Sequence, residues 1–223
     1  MNTEKAKFCD GCGYPIVLMM LNKILEKNKL QSKAVLGLDI GCSLLALKSL
    51  PINTFQTHHG RVTPTMVGFK RAQEDSVCIS MTGDGGAYAI GIQNLLHAAK
   101  RDEPVTVIVV NNSLYAMTGG QSAPTTLVGQ KTSTSPQGHE EDKFLGPEML
   151  RSEIKSGAFL ARSAVNDPKN LMNYLDQAIK TQQDGHFSLV EILSFCPTNW
   201  RTKGKDTIDY LENLKKEFKI GVL

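Results

Sequence analysis

No stretch of this sequence approaches the roughly 20 consecutive apolar residues that a membrane-spanning helix needs. Residues 1–7 are polar and lead directly into the first cysteines, without the apolar core of a secretory signal. Both absences lead us to expect a cytoplasmic protein with no membrane partner. Charge of one sign is scarce too: 25 Lys and Arg stand against 22 Asp and Glu, a formal balance of +3. The basic side chains are scattered, and the stretch 201–219 mixes both signs. That pattern fits a solvated surface and argues against a nucleic-acid partner. Internal repeats and low-complexity tracts are also missing, which excludes repeat architectures.

What is present is an ordinary globular composition, 41% hydrophobic and 21% charged, over a length that suits one domain spanning 1–223. Short β-branched runs alternate with helical stretches. The expected fold is therefore α/β, doubly wound, with a mostly parallel sheet and helices on both faces. Strands are expected at 34–39, 53–57, 76–81, 104–111, 159–163 and 188–193. Helices are expected at 14–27, 43–49, 64–72, 87–100, 147–156, 168–182 and 207–217, with Thr63 as the cap of the third. Val105 and Val107 to Val110 read as a strand buried on both faces. The stretch 118–144 is rich in Gly, Ser, Thr and Gln, and loops of that length usually serve a site.

Two strand ends carry the first chemical signal. Gly83-Asp84-Gly85-Gly86 follows one strand and Asn111-Asn112 the next. In doubly wound sheets, ligands sit at the carboxyl ends of the strands. Glycines let the backbone approach a diphosphate, and the start of the following helix favours an anion. Mg²⁺ takes about six oxygens, commonly one or two from carboxylates and the rest from phosphate and water. Asp84 offers a carboxylate and Asn112 an amide oxygen. Either piece alone also reads as a tight turn or a polar strand end. Together, a Gly-Asp-Gly, about 25 intervening residues and an Asn-Asn pair resemble the thiamine diphosphate fingerprint. That resemblance implies that Asp84, Asn112 and the carbonyl of Leu114 bind Mg²⁺, beside a cradle of Gly83, Gly85 and Gly86.

Five cysteines in a chain of this kind read as ligands or catalytic groups before they read as disulfides. Cys78, between Val77 and Ile79, reads as a small buried apolar residue. Cys9 and Cys12 form a C-x-x-C pair, Cys42 follows Gly41, and Cys196 precedes Pro197. Four thiolates suit either a structural Zn²⁺ or a [4Fe–4S] cluster, and spacing does not separate the two.

The wider context adds a resemblance. Cys9-Asp10-Gly11-Cys12-Gly13, Ile40-Gly41-Cys42-Ser43 and His58-His59-Gly60-Arg61 resemble the β subunits of 2-oxoacid:ferredoxin oxidoreductases. So do Asn111 to Gln121, Pro124-Thr125-Thr126 and Cys196-Pro197-Thr198, in the same order along nearly the whole chain. The resemblance implies that Cys9, Cys12, Cys42 and Cys196 hold one [4Fe–4S] cluster beside the thiazolium. It also implies that Gly41, Ser43, His59, Tyr115, Met117 and Thr118 contribute to the cofactor site, with His59 nearest a catalytic role. The implied reaction is oxidative decarboxylation of a 2-oxo acid to an acyl-CoA, with coenzyme A as acceptor and electrons leaving singly through the cluster to ferredoxin. Thiamine diphosphate normally lies between two domains, and only the diphosphate-type unit is legible here. An α-type subunit carrying the pyrimidine-binding domain is therefore an expected partner, with a small ferredoxin-like subunit a further one. Leu44, Leu45 and Ala46 after Cys42-Ser43 read either as an apolar substrate wall or as the core face of a short helix. The competing readings are the diphosphate-binding subunit of a non-oxidative thiamine-dependent decarboxylase and a zinc-stabilised binding module.

Overall fold

The computed structural model describes residues 7–223, so the polar start of the chain, residues 1–6, lies outside the described residues. In chain order the elements are α1 (Tyr14–Lys27), β1 (Ala34–Leu38), a 3₁₀ turn (Cys42–Ala46), β2 (Asn53–Gln56), α2 (Val62–Ala72) and β3 (Val77–Gly83). A widened turn (Gly86–Ile90), α3 (Ile92–Lys100), β4 (Thr106–Asn111) and a small hairpin of β5 (Leu114–Tyr115) and β6 (Gln121–Ser122) come next. The chain continues with α4 (Gly146–Leu150), β7 (Phe159–Ala164), α5 (Pro168–Gln183), β8 (Ser188–Leu193), α6 (Pro197–Trp200), α7 (Lys205–Glu217) and β9 (Gly221–Val222).

Seven strands form one sheet in the order β2-β1-β3-β4-β8-β7-β9. All neighbours are parallel except β9, which runs antiparallel to β7. Alternation along the strands splits the apolar side chains into two layers. Leu36, Ile79, Ile108 and Val190 pack on one face with Leu21 of α1, Leu175 of α5 and Leu211 of α7. Val35, Cys78, Val107 and Leu189 pack on the other with Met66 of α2 and Leu95 of α3. Burial on both faces explains why the inner strands read as continuous apolar runs. From β1 the chain moves to β2 on one side, whereas β3 and β4 lie on the other. This reversal opens a crevice at the carboxyl ends of β1 and β3, where doubly wound folds bind ligands. Among the described residues, no helix is long and apolar enough to cross a membrane.

Several boundaries differ from the sequence expectation, each for a local reason. Thr63 does not cap α2, which begins at Val62 after Arg61 with no side-chain cap. The Thr63 hydroxyl instead pairs with buried Ser80 of β3 at 3.1 Å. The expected helix over 87–100 is divided at Gly91, where a Cβ would lie 2.3 Å from the Gly86 carbonyl oxygen. The helix from 147 stops at Leu150, and the chain turns through Gly157 at φ +108°. Within 118–144 the hydroxyl of Ser122 meets those of Thr132 at 2.7 Å and Ser135 at 3.0 Å, so side chains replace a backbone ladder.

Beneath the parallel strands lies a buried ion pair. Arg162 of β7 and Glu191 of β8 are both fully buried, and the Arg162 Nε donates to Glu191 Oε2 at 2.6 Å. The guanidinium also grips Glu148 through two nitrogens, at 2.7 and 2.6 Å. Breaking one side of such a pair strands a buried charge. Arg162→Met is expected to lower unfolding free energy by about 3–5 kcal/mol in urea titrations. Adding Glu191→Leu should recover part of that loss; a double variant weaker than the single one would show that the pair is not what the substitution broke.

Candidate cofactor site

The rim of the crevice is built from the residues at the carboxyl ends of the inner strands. After β1 comes Asp39, fully buried. Its Oδ1 accepts from the backbone N–H of Ile40 at 2.9 Å and of Gly60 at 2.8 Å, and its Oδ2 accepts from the Thr82 hydroxyl at 2.7 Å. One carboxylate thus joins the end of β1, the His59-Gly60-Arg61 turn and the end of β3. Burial pushes the Asp39 carboxyl above its ordinary range, against the hydrogen bonds and the nearby His59 charge, which pull it down. Gly86 lies so near that a Cβ there would sit 2.1 Å from Asp39 Oδ2. Arg61 Nη1 donates to the Ile90 carbonyl at 3.1 Å, so its guanidinium anchors backbone.

After β3 and β4 come Asp84 and Asn112. The parallel register pairs Gly83 with Val110, which sets the two strand ends side by side. The backbone turns sharply there: Ser113 adopts φ +61°, held by its N–H donating to Asn111 Oδ1 at 3.0 Å. Asp84 is buried, and burial pushes its carboxyl up to about 7 despite the Thr125 hydroxyl that donates to Oδ2 at 2.5 Å. Asn112 Oδ1 is buried with no hydrogen-bond partner among the described residues, while the Asn112 carbonyl accepts from the Trp200 indole at 3.0 Å. An orphaned amide oxygen beside a carboxylate that resists ionisation is the donor set a hard cation would relieve. The residues present therefore fit Mg²⁺ at this end.

The thiols gather on the neighbouring wall. Burial, then the charges of Cys12, Cys196 and Cys9, push the Cys42 thiol up to about 12. Burial, then Cys196 and Cys9, push Cys12 up to about 11, with backbone N–H groups acting the other way. The C-x-x-C turn closes with the Cys12 N–H donating to the Cys9 carbonyl at 3.1 Å. Gly11 in that turn, at φ +78°, lies against Pro197, and Asn199 Nδ2 donates to Cys196 Sγ at 3.3 Å. All five cysteines are free thiols. Among the described residues no three His, Cys, Asp or Glu side chains are close enough together to hold a metal ion. Cys42 thus lies within electrostatic reach of Cys12, Cys196 and Cys9.

One cleft brings together Gly41, Cys42, His59, Gly83, Asp84, Gly85, Gly86, Asn112, Leu114, Tyr115, Met117 and Thr118. Ser43 does not line it; it is buried and its hydroxyl donates to the Asp39 carbonyl at 2.9 Å. Leu44 and Leu45 are half-buried outside the cleft, and Ala46 is in the core. Tyr14, Ile40 and Ala116 also line the cleft and escaped the sequence reading. Tyr14 reads as the first residue of an apolar helix, and only its place directly after Cys12-Gly13 hints at a site. Asp39 carried a clearer signal, a charged residue ending an otherwise apolar strand.

The family model described as thiamine pyrophosphate enzyme, C-terminal TPP binding domain, matches residues 39–192. The 2-oxoglutarate synthase subunit KorB of Archaeoglobus fulgidus is 37% identical over 218 residues, covering 96% of this chain and 79% of that protein. The chain belongs to the thiamine diphosphate-binding β subunits of the 2-oxoacid:ferredoxin oxidoreductases. Another member, the ketoisovalerate oxidoreductase subunit VorA of Methanothermobacter thermautotrophicus, is 34% identical over 222 residues. That match takes in 96% of this chain but 46% of the relative, so the chain spans about half the length of that β-subunit relative. A solved 2-oxoglutarate:ferredoxin oxidoreductase from Magnetococcus marinus, with 2-oxoglutarate, coenzyme A and succinyl-CoA bound, shares the β-subunit fold. The TM-score is 0.84 at 23% identity, over 96% of this chain and 71% of that one.

Two of the three cradle glycines, Gly85 and Gly86, should respond unequally to a methyl group. A Cβ at Gly85 would lie 2.1 Å from the Tyr115 ring, which stands at the exposed rim and can swing. At Gly86 the obstacles are the pinned Asp39 carboxylate and Thr82 hydroxyl. Gly86→Ala is expected to cost about 1–3 kcal/mol in thermal or urea unfolding, and Gly85→Ala less. The reverse order would show that the Asp39 cluster is not rigid.

Proposed function

We propose that this chain is a single diphosphate-type domain. It acts in the oxidative decarboxylation of a 2-oxo acid to an acyl-CoA, with coenzyme A as acyl acceptor and ferredoxin as electron acceptor. The observation that carries this reading is the cleft itself. Its floor holds the buried Asp84 carboxylate and the partnerless Asn112 Oδ1, and its wall holds Cys42, whose thiol lies within electrostatic reach of three others. Bound there, thiamine diphosphate supplies the nucleophile and electron sink for decarboxylation, Mg²⁺ neutralises the diphosphate, and a [4Fe–4S] cluster carries single electrons.

The chain's own share is binding and placement. Asp84, Asn112 and the Leu114 carbonyl hold Mg²⁺, and Gly83, Gly85 and Gly86 allow the backbone close to the diphosphate. Gly41, Tyr115, Met117 and Thr118 complete the walls, and Ser43 supports Gly41 and Cys42 from behind by holding Asp39. His59 faces the cleft beside Asp39 and serves to hold or pass a proton near the reacting end. Cys9, Cys12, Cys42 and Cys196 ligate the cluster. Tyr115 and Met117 leave 37% and 43% of their surfaces exposed at the rim. Such aromatic and thioether surface supports an α-type partner seated over the pyrimidine end, with a small ferredoxin-like subunit beside it.

Anaerobic purification from the native source tests the whole reading. The expected product is a heteromer with thiamine diphosphate, Mg²⁺, iron and acid-labile sulfide. Cys42→Ala should lose the iron and keep Mg²⁺-dependent thiamine diphosphate binding, and Asp84→Asn should do the opposite. Zinc in place of iron, with no thermal stabilisation by thiamine diphosphate and Mg²⁺, would favour a binding module. Cofactor binding without iron would favour a non-oxidative decarboxylase subunit.

A further inference from the structure

A line of buried polar side chains runs from the back of the sheet to the proposed metal end, and neither the motif nor the family match assigns it a role. It begins at Arg162, held by the two oxygens of Glu148 and by donation to the Lys219 carbonyl at 3.0 Å. Arg162 orients Glu191, whose Oε1 accepts from Asn111 Nδ2 at 2.7 Å. With its nitrogen committed there, Asn111 must turn its oxygen towards the Ser113 N–H and the Thr125 hydroxyl, 3.0 Å from each. The one Thr125 hydroxyl proton is shared between Asn111 Oδ1 and the nearer Asp84 Oδ2, at 2.5 Å. Arg162, Glu191, Asn111 and Thr125 are all fully buried, so water does not compete for these bonds.

Thr125 is the link that touches the ligand carboxylate. Its segment is pinned independently: the Thr126 hydroxyl donates to the Ser113 carbonyl at 2.7 Å and accepts from the Ala123 N–H at 2.8 Å. The hydroxyl is thus fixed relative to the Asn111 to Ser113 turn and not carried by a mobile loop. The Thr125 hydroxyl, with the backbone N–H groups of Asp84 and Asn112, fixes the orientation of the Asp84 carboxylate. We propose that Thr125 is a positioning residue for the metal end of the cofactor, with the Arg162–Glu191–Asn111 line as its fixed support. The proposal rests on the assignment of Asp84 as a Mg²⁺ ligand.

Outer partners of a ligating carboxylate typically change metal affinity by about 10–100-fold when removed. The test uses the native complex, with Mn²⁺ replacing Mg²⁺ in the presence of thiamine diphosphate. Bound metal is read from the free Mn²⁺ resonance. Thr125→Val is expected to weaken Mn²⁺ binding at least tenfold, and Thr125→Ser to restore it, with the metal-free unfolding midpoint of the serine variant near wild type. Thr125→Ala replaces the valine variant if that one does not fold. Loss of binding in Asp84→Asn with none in Thr125→Val would overturn the positioning role and leave the ligand assignment standing. Wild-type affinity in Asp84→Asn would overturn the ligand assignment itself. Weak binding in Thr125→Val that Thr125→Ser does not restore would reduce Thr125 to packing and also overturn the proposal.

Discussion

Burial of carboxylates without water is the constraint around which this sheet is organised, because a buried charge must find partners or remain protonated. Three acidic side chains meet that condition near the carboxyl ends of β1, β3 and β8, and each is answered differently. Asp39 is satisfied by two backbone N–H groups and a hydroxyl, and so becomes a structural staple. Glu191 is satisfied by a guanidinium and an amide. Asp84 receives the Thr125 hydroxyl with backbone help and faces an orphaned oxygen. Of the three, Asp84 is the one that lines the cleft and faces an oxygen without a hydrogen-bond partner among the described residues. The incomplete satisfaction is local, because its neighbours are fully paired.

This hierarchy explains why the cleft tolerates backbone strain. The left-handed Ser113 and the glycine-on-glycine contact of Gly60 with Gly91 are both costly alone. Each is over-determined by hydrogen bonds: Ser113 by Asn111, and Gly60 by Asp39 on its N–H and Asn94 on its carbonyl at 3.1 Å. The widened turn Gly86–Ile90 belongs to the same arrangement. It brings the Ile90 carbonyl to Arg61 and leaves room for Asp39 behind Gly86.

Much of the fold was legible because it depends on patterns a few residues long. α1 and β8 fall on their expected bounds since an apolar stripe and a continuous apolar run need no distant partner to be recognised. The Gly83 to Gly86 and Asn111-Asn112 pieces were legible only as a combination, since each alone also reads as a turn or a polar strand end. What stayed hidden depends on residues far apart in the chain. Arg162 and Glu191 are separated by 29 positions and face each other only after β7 and β8 pair. Thr125 entered only as part of the Pro124-Thr125-Thr126 resemblance with no role attached, and its contact with Asp84 spans 41 positions. Ser43, beside a ligand-like cysteine, invites a site role, and the 3₁₀ turn points its hydroxyl at the Asp39 carbonyl.

The short helix α6 shows how the two ends of the cleft are mechanically joined. It starts directly after Cys196, and within one turn Asn199 donates both to Cys196 Sγ and to the Ala116 carbonyl at 2.8 Å. The next residue, Trp200, donates to Asn112. A shift of Cys196 would therefore be transmitted to the loop carrying Asn112 and Leu114 through rigid, directional bonds and not through packing alone. Gly120, at φ +78°, packs against Asn199 and leaves no space for a larger side chain to loosen that contact. The thiol wall and the oxygen floor are thus parts of one framework.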